Sequence, residues 1–152
     1  MTYLCVTLKN RQMKRIFSVC AALLVFAAAA VAQPRAIGVR AGWGADVSYQ
    51  HTLGAQNFLE VDLGWSFGNA LSVAAAYDFD IAPVGPFNFY AGPAAHAVIG
   101  SDFYLGVGAQ VGLEYDFNFP LQLSLDWRPT FYFVPATRFG WEGFAIGIRY
   151  RF

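Results

Sequence analysis

The residues of this chain that could carry out catalysis are few. Its two histidines are His51 and His96, and Ser101 follows the second of them closely. A serine and a histidine can act as a nucleophile and its general base, but a third group must orient the imidazole. No such group can be assigned from the sequence, and Pro93 is expected to form a bulge that changes the side to which His96 points. The sequence therefore predicts no catalytic residues, and we expect that the protein is not an enzyme.

The sequence also predicts no metal site and no cofactor. Metal sites generally need three or four ligands, and the two histidines fall near opposite ends of different predicted strands. The two cysteines, Cys5 and Cys20, belong to an N-terminal segment that we expect to be removed. The stretch GVGAQVG at 106–112 approximates a glycine-rich dinucleotide loop, but no helix follows it, so the geometry that cradles phosphate is missing. Its glycines are better interpreted as making room in a narrow interior.

Residues 1–32 have the pattern of an export signal. A basic stretch at 13–15 precedes a largely apolar run at 16–31, and residues 30–32 form an A-x-A cleavage pattern. The apolar run of 16 residues has no basic stop signal after it and is short for a membrane anchor. We therefore expect an N-terminal extension and a cleaved signal peptide over 1–32, with Met1 or Met13 as the start. One domain then covers 33–152.

Composition excludes several function classes for residues 33–152. This part of the chain has six arginines, ten carboxylates and no lysine, which gives a net charge of −4. A mildly acidic segment without lysine has no footprint for nucleic acid. Because the segment holds no cysteine, it also has no disulfide framework and no thiolate chemistry.

The strongest pattern is a strict alternation of apolar residues with small or polar ones. From Phe103 to Phe117 every second residue is apolar or aromatic, and the residues between them include Gly106, Gln110 and Glu114. Such segments match the roughly 9 to 11 residues with which a tilted strand crosses a bilayer. Because the second face lacks lysine, we predict that it lines an enclosed interior and that the apolar face meets lipid. A soluble lipocalin-like barrel would reverse the two faces.

Charged residues fall on the predicted interior face. We expect them to form a plug of paired charges, with tyrosines filling the gaps, because charges enclosed at low dielectric must be paired. The alternative is an ion or water path, but eight strands leave an interior only wide enough for side chains. The predicted interior charges are Arg40, Glu60, Asp62, Asp78, Glu114, Asp126, Arg128 and Arg149.

The predicted fold class is all-β, a transmembrane antiparallel up-and-down β-barrel of eight strands. A connection at 134–141 is the longest at its end of the barrel, and 82–86 forms a loop at the other end. The alternation runs unbroken from Ile37 to Tyr49, so one long strand and a total of seven is the alternative. Bacterial single-chain barrels have even strand numbers, which favours eight. The predicted strands cover about 36–43, 45–53, 58–66, 70–81, 87–98, 103–117, 121–133 and 142–152.

Aromatic residues cluster near the two ends of the predicted strands. Tyr115 and Tyr150 belong to one cluster, and Trp65 and Trp127 belong to the other. Two such girdles are typical of the two interfaces of a bilayer.

The chain closes on GIRYRF, a strand with an apolar residue at every second position. This pattern resembles the C-terminal signature that the assembly machinery of Gram-negative bacteria recognises, and a free strand edge suits recognition by strand addition. The predicted assembly signal is Phe144, Ile146, Ile148, Tyr150 and Phe152.

Residues 33–152 resemble small eight-stranded outer-membrane barrels of the OmpA/OmpX-like type, a porin-family type of barrel. The segments GADVSYQH, LEVDLGW and PLQLSLDWRP also look like small barrels common in Bacteroidetes. The resemblance implies an outer-membrane location in a Gram-negative bacterium, contact with outer-membrane lipid and lipopolysaccharide, and a monomer. We expect a non-enzymatic structural or surface-interaction role. The alternatives are an enzyme that modifies lipid A and a narrow solute or ion channel.

Overall fold

The computed structural model describes residues 33–152, so the predicted signal peptide at 1–32 lies outside the described residues. Ten β-strands and no helix occur in the described range. Burial alternates along most strands, because successive side chains of a strand point to opposite faces. The strands are β1 (Gln33–Ala41), β2 (Gly44–Thr52), β3 (Asn57–Ser66), β4 (Ala70–Val84), β5 (Phe87–Ile99), β6 (Phe103–Asp116), β7 (Leu121–Trp127), β8 (Thr130–Val134), β9 (Arg138–Gly140) and β10 (Phe144–Arg151).

The strands form one closed antiparallel barrel. β1 to β6 pair in chain order, β6 pairs with both β7 and β8, and β10 pairs with both β7 and β1. The β1–β10 ladder runs from Ala36 opposite Arg151 to Ala41 opposite Ile146. Because this ladder joins the first strand to the last, the sheet closes into a ring.

β7 and β8 are two segments of one barrel strand, and so are β9 and β10. The first break contains Pro129, which has no N–H to donate to a ladder. The second break faces the first, and the Arg128 amide donates to the carbonyl of Gly143 at 2.9 Å. Counted in this way the barrel has eight strands, as predicted. The seven-strand alternative is wrong, because Gly42 and Trp43 separate β1 from β2.

Two predicted connections are shorter in the structure. β4 continues to Val84, so the predicted loop at 82–86 is a tight turn with a φ of +63° at Gly85. β9 occupies part of the predicted connection at 134–141, because its three residues pair with β8.

The predicted bulge at Pro93 is also wrong. Pro93 lies opposite Ala109 in an unbroken β5–β6 register. The register shift between β4 and β5 lies instead at Asp80 and Ala82. The facing of the residues after Pro93, including His96, therefore follows the regular alternation of β5.

Burial in the barrel is inverted relative to a soluble domain. Among residues 33–152, fifteen polar or charged side chains are buried against seven hydrophobic ones, five of which are alanines. Large apolar side chains cover the outer face, where Val39, Val107 and Ile146 are each more than half exposed. The lumen is therefore polar and the outer surface apolar, as the alternation predicts.

The two ends of the barrel carry different features. The mouth end holds the turns β1–β2, β3–β4, β5–β6 and β8–β9, and the terminal end holds Gln33, Phe152 and the other turns. Tyr115 packs on Phe87 near the terminal end, and Trp65 lies beside the β3–β4 turn at the mouth end. Within residues 33–152, no helix is long and apolar enough to cross a membrane.

The closing ladder predicts a specific disulfide. Val39 and Ile148 lie opposite each other on β1 and β10, and opposite Cα atoms in such a ladder are about 4.5 to 5.5 Å apart, within disulfide range. The double variant Val39→Cys/Ile148→Cys should therefore crosslink under mild oxidation, as measured by mass spectrometry of the joined peptides. The control Val39→Cys/Leu63→Cys, with its second cysteine on β3, should not crosslink within one molecule. Equal crosslinking of both pairs would show that β1 and β10 do not pair as described.

Candidate functional site: the lumen and its mouth

The centre of the lumen is organised around Glu60 on β3, a fully buried carboxylate. Arg128 Nη2 donates to Glu60 Oε1 at 3.1 Å, and Arg149 Nη2 lies 3.1 Å from Glu60 Oε2. The amides of Gln50 and Gln110 donate to the same carboxylate at 2.8 and 3.1 Å. These partners come from β2, β6, β10 and the β7–β8 break, so one carboxylate joins strands from around the barrel.

Both arginines at Glu60 also donate hydrogen bonds to other buried partners. Arg128 Nε donates to Gln110 Oε1 at 2.7 Å, and its Nη2 donates to Asp62 Oδ2 at 2.7 Å. Arg149 donates to the hydroxyls of Ser48 and Ser124 at 2.9 and 2.6 Å. Such additional hydrogen bonds offset the cost of removing both charges from water.

Two further ion-pair groups lie on either side of this centre. On the mouth side, Arg40 pairs with Asp126, and its Nε donates to Asp126 Oδ1 at 3.0 Å. On the terminal side, Arg35 pairs with Asp80 at 3.0 Å and with Glu114. Paired charges thus lie at the centre of the lumen and on both sides of it.

All eight predicted interior charges are buried in the lumen. Seven of them take part in ion pairs with other lumen residues. Asp78 is the exception, because neither of its carboxylate oxygens has a hydrogen-bond partner among residues 33–152. The expected pairing of the plug therefore fails at Asp78, which β4 places on the inner face beside Phe58 of β3.

The neutral members of the network and Arg35 were not predicted from the sequence. Ser48 and Gln50 have the same parity as the interior charges around them, and that parity was a usable signal. Arg35 lies near the start of β1 and reaches Asp80 and Glu114 only through its long side chain. Nothing in the local pattern indicates that contact.

Interior glycines make room for large rings, as the interpretation of 106–112 expected. A Cβ atom on Gly112 would lie 2.3 Å from Cζ of Tyr90, a fully buried side chain. A Cβ atom on Gly106 would lie 2.9 Å from Cδ1 of Tyr132. Both tyrosines occupy space that a larger residue on β6 would close.

At the mouth end, hydrogen bonds join Ser72, His96 and Tyr132 into a chain. His96 Nε2 lies 3.0 Å from Ser72 Oγ, and His96 Nδ1 lies 2.7 Å from the Tyr132 hydroxyl. Ser101 lies exposed in the β5–β6 turn. The serine that meets His96 is therefore Ser72 of β4 and not Ser101.

All three members of this chain line a cavity of about 490 Å³ at the mouth. The buried guanidinium groups of Arg40 and Arg128 also line it, as do the exposed side chains of Trp43 and Phe67. The cavity therefore has paired arginines on its inner side and aromatic rings near its opening.

The remaining predicted residues lie away from the lumen centre. His51 near the terminal end meets the Tyr49 hydroxyl through Nδ1 at 2.7 Å. All five residues of the predicted assembly signal are exposed, four on the outer face of β10 and Phe152 just beyond it. Among residues 33–152 no group of three histidine, cysteine or acidic side chains could hold a metal ion.

Comparisons of the chain with protein-family models, with curated proteins and with solved structures found no significant match.

Loss of the central carboxylate should strongly destabilise the barrel. Glu60→Ala leaves the buried guanidinium groups of Arg128 and Arg149 without their shared partner, which should cost about 3 to 5 kcal/mol of unfolding free energy. The control Asp116→Ala removes the ion pair with Arg151, in which both side chains are about a third exposed. That variant should cost at most about 1 kcal/mol. Urea unfolding of the folded protein measures both, and equal losses would mean that Glu60 does not hold the lumen together.

Proposed function

We propose that residues 33–152 form a small outer-membrane barrel of a Gram-negative bacterium with a structural or surface-interaction role. The observation that carries the proposal is the inverted burial, with charges in the lumen and large apolar side chains on the outer face. An apolar surface that extends around a whole barrel has no favourable contact in water. The hydrocarbon layer of a bilayer offers that contact, and outer-membrane barrels have this arrangement of faces.

The filled lumen favours a structural or surface role over a solute channel. Arg128 and Arg149 reach Glu60 from strands across the barrel, and their contacts occupy the middle of the lumen. Eight-stranded barrels have just enough interior for their side chains. These charges pair with one another, and a structural or surface role requires no chemical reaction from them.

The outer face of β10 supports a role for the C-terminal strand in assembly. Phe144, Ile146, Ile148 and Tyr150 all point outward there, while the same strand pairs with β1 and β7. Before closure this strand would offer an apolar face and a free edge to the bacterial assembly machinery. We propose that residues 1–32 are removed on export and that the mature barrel is a monomer.

The resemblance to OmpA/OmpX-like barrels, and that of three segments to Bacteroidetes barrels, agrees with this proposal. In such an orientation the mouth end faces the cell exterior and the terminal end faces the periplasm. Contacts with lipid and lipopolysaccharide would then be made by the outward apolar side chains and by the aromatic residues at the two interfaces.

One substitution at two depths tests the membrane proposal. Val107 and Val84 are equally exposed, at 53% and 54%, but Val107 lies in the middle of β6 and Val84 at the terminal end of β4. In lipid vesicles Val107→Arg should cost about 2 to 4 kcal/mol of unfolding free energy, whereas Val84→Arg should cost about 0 to 1 kcal/mol. Urea titration of each variant in vesicles provides the measurement.

The same pair of variants separates a bilayer from water as the surroundings of the outer face. In water both valines are exposed surface residues, and an arginine at either position should change stability by less than about 0.5 kcal/mol. Similar small costs at both depths, with wild type folding in plain buffer, would contradict the membrane proposal.

A further inference from the structure

Two features of the sequence argued against catalysis: the expected bulge at Pro93 and the lack of a group to orient the histidine. Neither holds in the structure. The expected bulge at Pro93 is absent from the β5–β6 register, so the facing of His96 is regular. A third group that contacts the imidazole is present, because Tyr132 meets His96 Nδ1 while Ser72 meets Nε2. Nucleophilic catalysis requires a nucleophile that is hydrogen-bonded to a base, and an orienting group that is hydrogen-bonded to the same base.

The barrel geometry brings these three residues together. Ala74 of β4 lies opposite His96 of β5, and Ser72 is two residues from Ala74 on the same inner face. Ser72 is therefore the diagonal neighbour of His96, within reach of a long side chain. Three different strands supply the three residues, which explains why no sequence motif marks them.

Gly106 permits the contact between His96 and Tyr132. In the register of the barrel, Gly106 of β6 lies between His96 of β5 and Tyr132 of β8. A Cβ atom on Gly106 would lie 2.7 Å from Thr130 Cγ2 and 2.9 Å from the Tyr132 ring. The missing side chain leaves the space through which two residues on non-adjacent strands meet.

We propose that Ser72 is the nucleophile of a carboxylic ester hydrolase site in the mouth cavity, with His96 as its general base and Tyr132 as a positioning residue. The inference goes beyond the structural role proposed above, and its failure would leave that role intact. The substrate class is a small ester that enters a cavity of about 490 Å³ past the rings of Trp43 and Phe67.

In the reaction, Ser72 Oγ forms a bond to the ester carbonyl carbon while its proton passes to His96 Nε2. His96 then gives that proton to the leaving alkoxide oxygen as the ester C–O bond breaks. Water attacks the acyl-serine by the same route, which releases the carboxylic acid and restores Ser72. The Thr130 hydroxyl and the Arg128 guanidinium line the same cavity and are donors of the kind that stabilise an oxyanion.

Tyr132 sets the orientation of the imidazole. For His96 to accept a proton at Nε2, its Nδ1 must carry the hydrogen and donate it to the Tyr132 oxygen. A neutral tyrosine oxygen stabilises the imidazolium less than a carboxylate would, so we expect slow turnover.

Labelling with a fluorophosphonate probe tests the nucleophile. In the folded wild-type barrel in detergent, Ser72 Oγ should attack the phosphorus of the probe and displace fluoride, and peptide mass spectrometry should place the phosphonyl label on that residue. Ser72→Ala should abolish labelling, and His96→Gln should slow it by about 100-fold or more. The control Ser101→Ala, in the exposed β5–β6 turn, should label at the wild-type rate.

The role of Tyr132 is tested with a p-nitrophenyl ester of a short acid. Tyr132→Phe keeps the ring and should lower kcat by about tenfold, the effect of one hydrogen bond, with KM unchanged. The control Tyr104→Phe, whose ring packs edge-on against Tyr132 at 6.2 Å, should leave kcat unchanged.

Gel mobility of unboiled samples shows whether each variant is folded before it is assayed. If Ser72→Ala does not fold, the label position in wild type and the rate of His96→Gln still decide the question. An unlabelled folded wild type, a label on a residue other than Ser72, or labelling that persists in folded Ser72→Ala would overturn the proposal.

Discussion

The barrel depends most on the contact between Glu60 and the guanidinium groups of Arg128 and Arg149. All three side chains are almost completely buried, so their charges cannot reach water and must satisfy one another. Their chain positions are far apart, and they meet only when β3, β10 and the β7–β8 break surround one lumen. Pairing of these charges and closure of the sheet are therefore the same structural event. Gln50 and Gln110 complete the coordination of the carboxylate and tie in β2 and β6.

A polar lumen determines what the outer face must be. The inward-pointing residues of each strand are mainly charged, amide-bearing or small. The apolar residues therefore lie on the outside, where Val39, Val107 and Ile146 project. At the mouth the polar interior opens into a cavity of about 490 Å³, which Ser72, His96 and Tyr132 line. The proposed membrane role is thus argued from the apolar outer face, and the proposed ester hydrolysis is argued from the mouth cavity.

Local periodicity made the strands and their two faces predictable, because a period of two residues assigns each side chain to one face. It placed Glu60 and Arg149 inside without any knowledge of their partners. Contacts that depend on the stagger between strands were not predictable: the meeting of Arg128 with Glu60, or of His96 with Ser72, follows from register around the barrel. The break at Pro129 was missed because the predicted strand at 121–133 followed the alternation through a proline that cannot donate to a ladder. The short β9 was missed because three residues give no period.

The proposed membrane role requires most directly that the outer face of the barrel contacts lipid. Trp43, Trp65 and Trp141 lie near the mouth end, where they should mark one bilayer interface, whereas Trp127 lies in the middle of the strand formed by β7 and β8. In the variant Trp127→Phe, quenching of the fluorescence of the other three tryptophans by lipids brominated at defined depths, in vesicles containing the folded protein, measures their position. We expect strong quenching by bromines near the headgroups and weaker quenching by bromines near the bilayer centre. Absence of quenching at every depth would contradict the proposed membrane role.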